Sequence, residues 1–254
     1  MRAAGDGTSG PRRLVDAAPE DLRIELLRIE HDLNEGRYRP GPWERFIREL
    51  RRQPARVRSA LADEVSRVSR KVHLRSPRKT ISACAGVATE IFALALGAGL
   101  LAFAVHQGSS VVGLAGAFLW IMSLQPLAKI TMAAVFGVGY EYAYLLRGEP
   151  RFKMRFGSYV ARPRWQRVVL HLSGTIGSPI GAWAAARIIS ARMPGTARIV
   201  MAVFWLVVAI NIAAFVAGLS GIRRFGSIRT SEGSGGAAGL EIREAFARSR
   251  EATR

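Results

Sequence analysis

Residues 81–105, ISACAGVATEIFALALGAGLLAFAV, decide how the rest of the chain is read. The run carries a single charge, Glu90. A straight helix of about 20 apolar residues covers the ~30 Å of hydrocarbon in a bilayer, so this run is long enough to cross one. Its apolar residues are continuous instead of recurring on one face, which separates a lipid-facing helix from the amphipathic helix of a water-soluble domain.

Three more apolar blocks follow. Residues 110–146 hold no charge except Lys129 and Glu141, a length too great for one straight span and too short for two with a loop. We expect a span over 110–136, with a break inside it or an extension to Leu146 as the alternatives. Residues 168–189 and 199–222 supply two further spans, the first weakened by glycines, a proline and Arg187. The expectation is an all-α, polytopic helical membrane protein with about four transmembrane helices in residues 80–222. A short amphipathic-helical cytoplasmic region, 1–79, precedes them, and a flexible cytoplasmic tail, 223–254, follows.

The formal charge of +18 across 254 residues raises the question of a nucleic-acid partner. Topology answers it. All but four of the 37 Lys and Arg residues lie in residues 1–79, 147–167 and 222–254; the exceptions are Lys129, Arg187, Arg192 and Arg198. An even number of spans gathers those three segments on one side, and cytoplasmic segments are the ones that collect basic residues. Both termini are therefore expected in the cytoplasm, with the lipid bilayer as the partner and no nucleic acid. The loop RGEPRFKMRFGSYVARPRWQR alternates aromatic and basic residues and is expected to lie against anionic headgroups. The one cysteine, Cys84, has no partner for a disulfide. Residues 1–23 lack the apolar core and cleavage site of a signal peptide, so the spans themselves are expected to direct insertion. The Ala, Gly and Arg bias resembles that of proteins from GC-rich bacteria, which points to a bacterial cytoplasmic membrane.

Ahead of the first span, Pro19, Glu20 and Asp21 open a helix with the acidic N-terminus its dipole favours, and Leu22, Leu26, Ile29 and Leu33 share a face up to Gly36. A second helix follows Pro42 with Trp43, Phe46, Ile47 and Leu50. A third follows Pro54 with Val57, Leu61, Val65, Val68 and Val72. Three such stripes suit a small bundle, a membrane surface or a partner protein. His31 and His73 are isolated and read as solvated. The tail stretch TSEGSGGAAG has the composition of a flexible linker ahead of a charged end that is a candidate helix.

Polar residues inside the spans are functional candidates, because an unpaired charge in hydrocarbon costs several kcal/mol. Glu90 falls near mid-depth, and Lys129 is the nearest candidate partner in a neighbouring span. Asn211 suits an interhelical hydrogen bond. His171 and Arg187 fall toward opposite ends of their span, and Glu141 sits among Tyr140, Tyr142 and Tyr144 at an interfacial belt position. Gly113 with Ala117, and Gly177 with Gly181, have the four-residue spacing that lets helices approach closely.

Gln125 and Lys129 are four residues apart, on one face of a helix, the spacing at which two histidines grip one zinc. The run QPLAKITMAAVFGVGYEYAYL, followed by PRFKMRFGSYVARPRWQRVVLHLSGTIGSP, resembles small bacterial membrane proteins related to site-2-protease-type zinc metallopeptidases. The resemblance covers about Ser123 to Pro179. In that group the corresponding run looks like H-P-x-A-H, followed later by a histidine-small-glycine element like His171 to Gly174. Carried onto this chain, the two metal-binding positions are Gln125 and Lys129, and a lysine ammonium offers zinc no lone pair. The family's late acidic ligand has no counterpart in residues 199–222, where Asn211 is the strongly polar residue.

The resemblance implies a metallopeptidase-like protein without metal or proteolytic activity: no catalytic residue, no cofactor, and a polar cluster of Glu90, Gln125, Lys129, Asn211 and His171 in place of the metal. Its expected role is to bind or stabilise another membrane protein or a transmembrane helix. The alternatives are an active intramembrane peptidase with zinc on unrecognised ligands, and a small transport or channel component with Glu90 and Lys129 on a polar path.

Overall fold

The computed structural model describes residues 19–75, 79–146, 149–222, 224–225, 228–229 and 234–252. The stretch at 1–18 read for a signal peptide, and residues 230–233 of the expected linker, lie outside them. In chain order the helices are α1 (Pro19–Asn34), α2 (Pro42–Arg52), α3 (Ala55–Ala60), α4 (Ala62–Leu74), α5 (Ala83–Gln107), α6 (Ser110–Val135), α7 (Phe156–Ala161), α8 (Arg164–Ile189), α9 (Pro194–Ser220) and α10 (Ser234–Ala252). The strands are β1 (Thr80–Ser82), β2 (Tyr140–Leu146), β3 (Glu149–Met154), β4 (Arg224–Phe225) and β5 (Ile228–Arg229). Two compact units result: Met1–Pro77 with Phe156–Ala161, and Arg78–Arg155 with Arg162–Arg254.

The first unit is a self-packed helical cluster. The apolar stripes of α1, α2 and α4 meet in a core of Leu22, Leu26, Ile29, Phe46, Leu50, Leu61, Val65 and Val68. The third expected helix is two, α3 and α4, broken where Leu61 leaves helical geometry. Pro42 and a Glu44 side chain that accepts the Gly41 N–H at 2.8 Å start α2. On the polar side Glu30 takes Arg67 in a two-pronged pair at 3.0 Å and Lys71 at 2.8 Å, which holds its carboxyl below the usual carboxylate range. The short helix α7 joins this unit. The Gly157 N–H donates to Ser66 Oγ at 3.0 Å, and a methyl at Gly157 would collide with the Ala62 carbonyl.

The second unit is built on α5, α6, α8 and α9. Three of these, α5, α6 and α9, are long and apolar enough to cross a membrane. They carry their apolar side chains outward: Phe92, Phe118, Trp205 and Ile210 are each more than half exposed, while Glu90 and Ser123 are buried. Polar groups inside and apolar groups outside is the arrangement that lipid, not water, favours. The chain is a predominantly helical membrane protein.

Helix α8 runs antiparallel to α6 along much of its length. Gly174 adjoins Lys129, Gly177 adjoins Leu124 and Gln125, and Gly181 adjoins Trp120 and Ile121. It is the most covered of the long helices, which accounts for its weaker apolar character. At one end, Leu101, Ala104, Ala117, Ala182, Ala185, Ala186, Ile189, Met193, Ala197 and Val200 form a small-residue core, and Thr196 donates to Ser110 Oγ at 2.7 Å. That bond places the α5–α6 and α8–α9 connections together.

Two expectations are corrected here. Helix α6 does not extend to Leu146. It ends at Val135, Gly137 takes a left-handed conformation at φ 64°, and Tyr140–Leu146 forms the middle strand of an antiparallel sheet ordered β1-β2-β3. The alternation Tyr-Glu-Tyr-Ala-Tyr is a strand period. Ala143 and Phe152 of this sheet pack on Gly86 of α5. The sequence-derived all-α class therefore needs this small sheet added.

The tail is not flexible throughout, because Ser234–Ala252 is helical and packs on α8 and α9. The residues read as a linker, Gly235 and Gly239, lie four apart on the face where α10 touches α9: a methyl at Gly235 would meet the Asn211 carbonyl, and one at Gly239 the Phe215 carbonyl. Helix α10 thus starts beside the middle of α9 and runs parallel to it, while antiparallel to α8.

Candidate functional site

The buried face of α8 repeats at helical spacing: Arg167, His171, Gly174, Ser178 and Gly181. Three neighbouring helices, α6, α9 and α10, bring polar groups to α8. At its start Arg167 Nη2 lies 3.0 Å from Glu241 Oε2 of α10, with only 2% and 4% of the two side chains exposed. His171, one turn further, is buried too.

A second group of links forms where prolines interrupt the helices. Pro179 has no N–H, so the Thr175 carbonyl loses its helical donor; Asn211 Nδ2 reaches that oxygen at 3.5 Å. Pro126 interrupts α6 and removes the helical donor of the Met122 carbonyl; beside it Ser178 Oγ donates to the Ile121 carbonyl at 2.9 Å, with Gln125 Oε1 3.2 Å away. Gln125 and Asn211 thus serve as interhelical links, meeting α8 at Ser178 and at Thr175.

Lys129 and Glu90 are not joined. Ser123 bonds to the Glu90 carboxylate, and Ser123 precedes Lys129 by six residues, about 9 Å along the helix axis. Among the described residues no ion pair includes Lys129. Its Cδ lies over Gly174, Tyr140 Oη donates to its carbonyl at 3.5 Å, and the charged group acting on it is another cation, Arg151 of β3. The expected five-residue cluster is therefore three separate arrangements: Glu90 with Ser123, Gln125 with Ser178, and Asn211 with Thr175. Lys129 and His171 face different neighbours.

The sheet beside Lys129 is itself poorly hydrated. Burial lowers the Lys153 ammonium to about 8 against the opposing pull of Glu141, and burial raises the Tyr140 phenol. Glu141, expected in an interfacial belt, stands in β2 next to these groups.

The zinc of the alternative, active-peptidase reading does not fit this arrangement. Gln125 Oε1 faces the Ser178 hydroxyl, the α6 and α8 backbones touch at Gly177 and Gln125, and among the described residues no three His, Cys, Asp or Glu side chains converge. No protein-family model, curated protein or solved structure matches the chain.

Sequence reasoning missed Arg167, Glu241, Ser178 and Ser123. Arg167 was counted with a basic loop, yet α8 starts earlier than expected, at Arg164. Glu241 was assigned to the tail, where Gly235 and Gly239 suit a flexible linker and a packed helix equally.

Proposed function

We propose that this chain is a non-catalytic protein of the bacterial cytoplasmic membrane that binds and stabilises another membrane protein through a transmembrane helix. The observation that carries the reading is the contact at Gln125. Gly177 brings the α8 backbone against the turn of α6 that holds the first metal-motif position, and Gln125 is engaged with Ser178. A hydrolytic centre needs an open position there for water and a substrate carbonyl. This place is filled by protein backbone.

Helix α8 is the fourth span in this reading. It lies antiparallel along α6, so a membrane crossed by α6 is crossed by α8 as well, and the shared Ser110–Thr196 end is the outer one. The basic segments then lie in the cytoplasm. The partner-binding face is the outer row of α9, where Trp205, Ile212 and Val216 are exposed and the helix is the least covered of the apolar three.

A photoreactive amino acid at Trp205 or Ile212, activated in intact membranes, tests the reading. It should give one discrete protein adduct, absent when the probe replaces buried Leu101. Lipid adducts alone at both positions would remove the partner-binding role. Stoichiometric zinc in the purified protein, lost in His171→Ala, would instead restore the peptidase reading.

A further inference from the structure

We propose that Glu90 is a proton-binding site inside the membrane, its side chain held in the seam between α5 and α6 as an uncharged carboxylic acid. Glu90 stands on a helix long and apolar enough to cross a membrane, about 10 Å along the axis from its start. The side chain is turned into the protein: Glu90 is 4% exposed and Ser123 of α6 is 1% exposed.

Helical register brings these two residues together. The Trp120 indole N–H donates to the Leu94 carbonyl at 3.1 Å, and Gly97 lies against Gly116 and Trp120, so α5 and α6 run antiparallel in close contact. Glu90 is one turn back from Leu94, and Ser123 is nearly one turn on from Trp120, in line with Gly116 two turns before it. The Ser123 hydroxyl bonds to the Glu90 carboxyl.

A carboxylate buried in that seam would need a cation, and the fold directs none of its own toward it. Lys129, the charged residue of α6, lies about 120° round the helix from Ser123, with its stem over Gly174 of α8. The sheet reaches α5 through Ala143 and Phe152, which pack on Gly86, one turn before Glu90. Paired residues of neighbouring strands share a face and successive residues alternate. Lys153, paired with Tyr142, and Arg151, paired with Tyr144, therefore stand on the face turned away from α5. Glu141 acts on Lys153, and Tyr140, whose ring meets Phe152, donates its hydroxyl to the Lys129 carbonyl. Strand β1 carries no charge. Helix α8 joins α5 at the other end, where Leu101 and Ala104 pack with Ala182, Ala185 and Ile189, and Arg187 there is exposed. Its Arg167 is bound to Glu241, and by the α6–α8 register His171 lies beyond Lys129, further from Ser123.

A proton is the cation this place can take. A calcium or magnesium ion collects about six oxygens or more, and among the described residues no group of three metal-ligating side chains forms. Thr89, the next hydroxyl on α5, already donates to the Ala85 carbonyl at 2.9 Å. A protonated carboxyl needs only a partner for its O–H or its carbonyl, and one serine hydroxyl serves either. With the proton in place α5 crosses the bilayer without a charge.

The experiment uses the full-length protein in phosphatidylcholine nanodiscs at pH 7. The infrared difference between wild type and Glu90→Gln should contain the carbonyl band of a protonated carboxyl and no carboxylate bands. In a Ser123→Ala background the same difference should show that band at higher frequency, because its hydrogen bond is lost. Glu30→Gln, which removes a carboxylate paired with Arg67 and Lys71, should give carboxylate bands in the same measurement. The melting temperature of Glu90→Gln should match that of the wild type, since an amide then replaces a neutral acid. An apolar carbodiimide supplies a second readout. The acid passes its proton to a reagent nitrogen while its oxygen bonds the central carbon, so the peptide carrying Glu90 should gain the mass of one whole reagent molecule. Carboxylate bands in the Glu90→Gln difference overturn the proposal. If that variant does not fold, the adduct decides, and a Glu90 peptide of unchanged mass overturns it.

Discussion

Arg167 and Glu241 form the most deeply buried ion pair among the described residues, and their fate under mutation is the clearest prediction at the scale of single side chains. Removing one partner of a buried pair leaves an uncompensated charge and typically costs ~3–5 kcal/mol, whereas removing both often costs little. Arg167→Met and Glu241→Leu should each lower the melting temperature in detergent, and the double variant should recover much of the loss in a double-mutant cycle. Additive losses would mean that the pair does not hold α10 to α8. Gly177 offers a steric test: Gly177→Val drives a side chain into the Leu124 carbonyl and should abolish monodisperse folded protein, while Gly99→Ala, with open space around it, should be neutral. Lys153 supplies a pH signature. Its folded value of about 8 lies below that of the unfolded chain, so between pH ~8 and ~10 the unfolded chain holds a proton the folded chain has released. Stability should therefore rise with pH across that window, and the slope should flatten in Lys153→Met. An unchanged slope in that variant would show that Lys153 is hydrated.

At the scale of elements, α10 is the part whose behaviour separates this structure from a reading of the sequence alone. A dispensable tail could be removed without effect. A helix packed through Gly235 and Gly239 against α9 and locked by Glu241 to α8 cannot. Truncation after residue 230 should destabilise the membrane unit, and Gly239→Leu, which meets the Phe215 carbonyl, should reproduce much of that loss; full stability in both variants would return α10 to the status of an appendage. The difference in legibility has a physical origin. The apolar blocks were readable because lipid demands them whatever the partners are, as were the stripes of α1, α2 and α4 that meet in a core. Gly235 and Gly239 were not, because small residues serve equally a flexible linker and a close helix contact, and only the presence of a facing helix decides between them. The strand at Tyr140–Leu146 was written in its alternation but lay at the end of an apolar run, where the length of the run dominated. Gln125 and Lys129 stood out as polar residues in a span, yet their neighbours, Ser178 and Gly174, depend on how α8 folds back on α6, which no local pattern specifies.

At the scale of the whole molecule, the proposed reading has four helices crossing one bilayer, with the small sheet and α10 toward the cytoplasm. Basic residues concentrate before α5, in residues 147–167 and after α9, and the Ser110–Thr196 bond joins the two short connections, which the proposed topology puts on the opposite side. Three crossings, with α8 lying outside the bilayer, would put α10 on the outer side. Single cysteines in a Cys84→Ser background distinguish the two directly: Gln107→Cys and Arg192→Cys in the short connections, Glu35→Cys in α1's following turn, and Phe246→Cys on the exposed side of α10. With an impermeant thiol reagent on intact cells, the account predicts labelling at 107 and 192, and labelling at 35 and 246 only after the membrane is permeabilised. Labelling of the cysteine at 246 from outside, with the one at 192 protected, would contradict it.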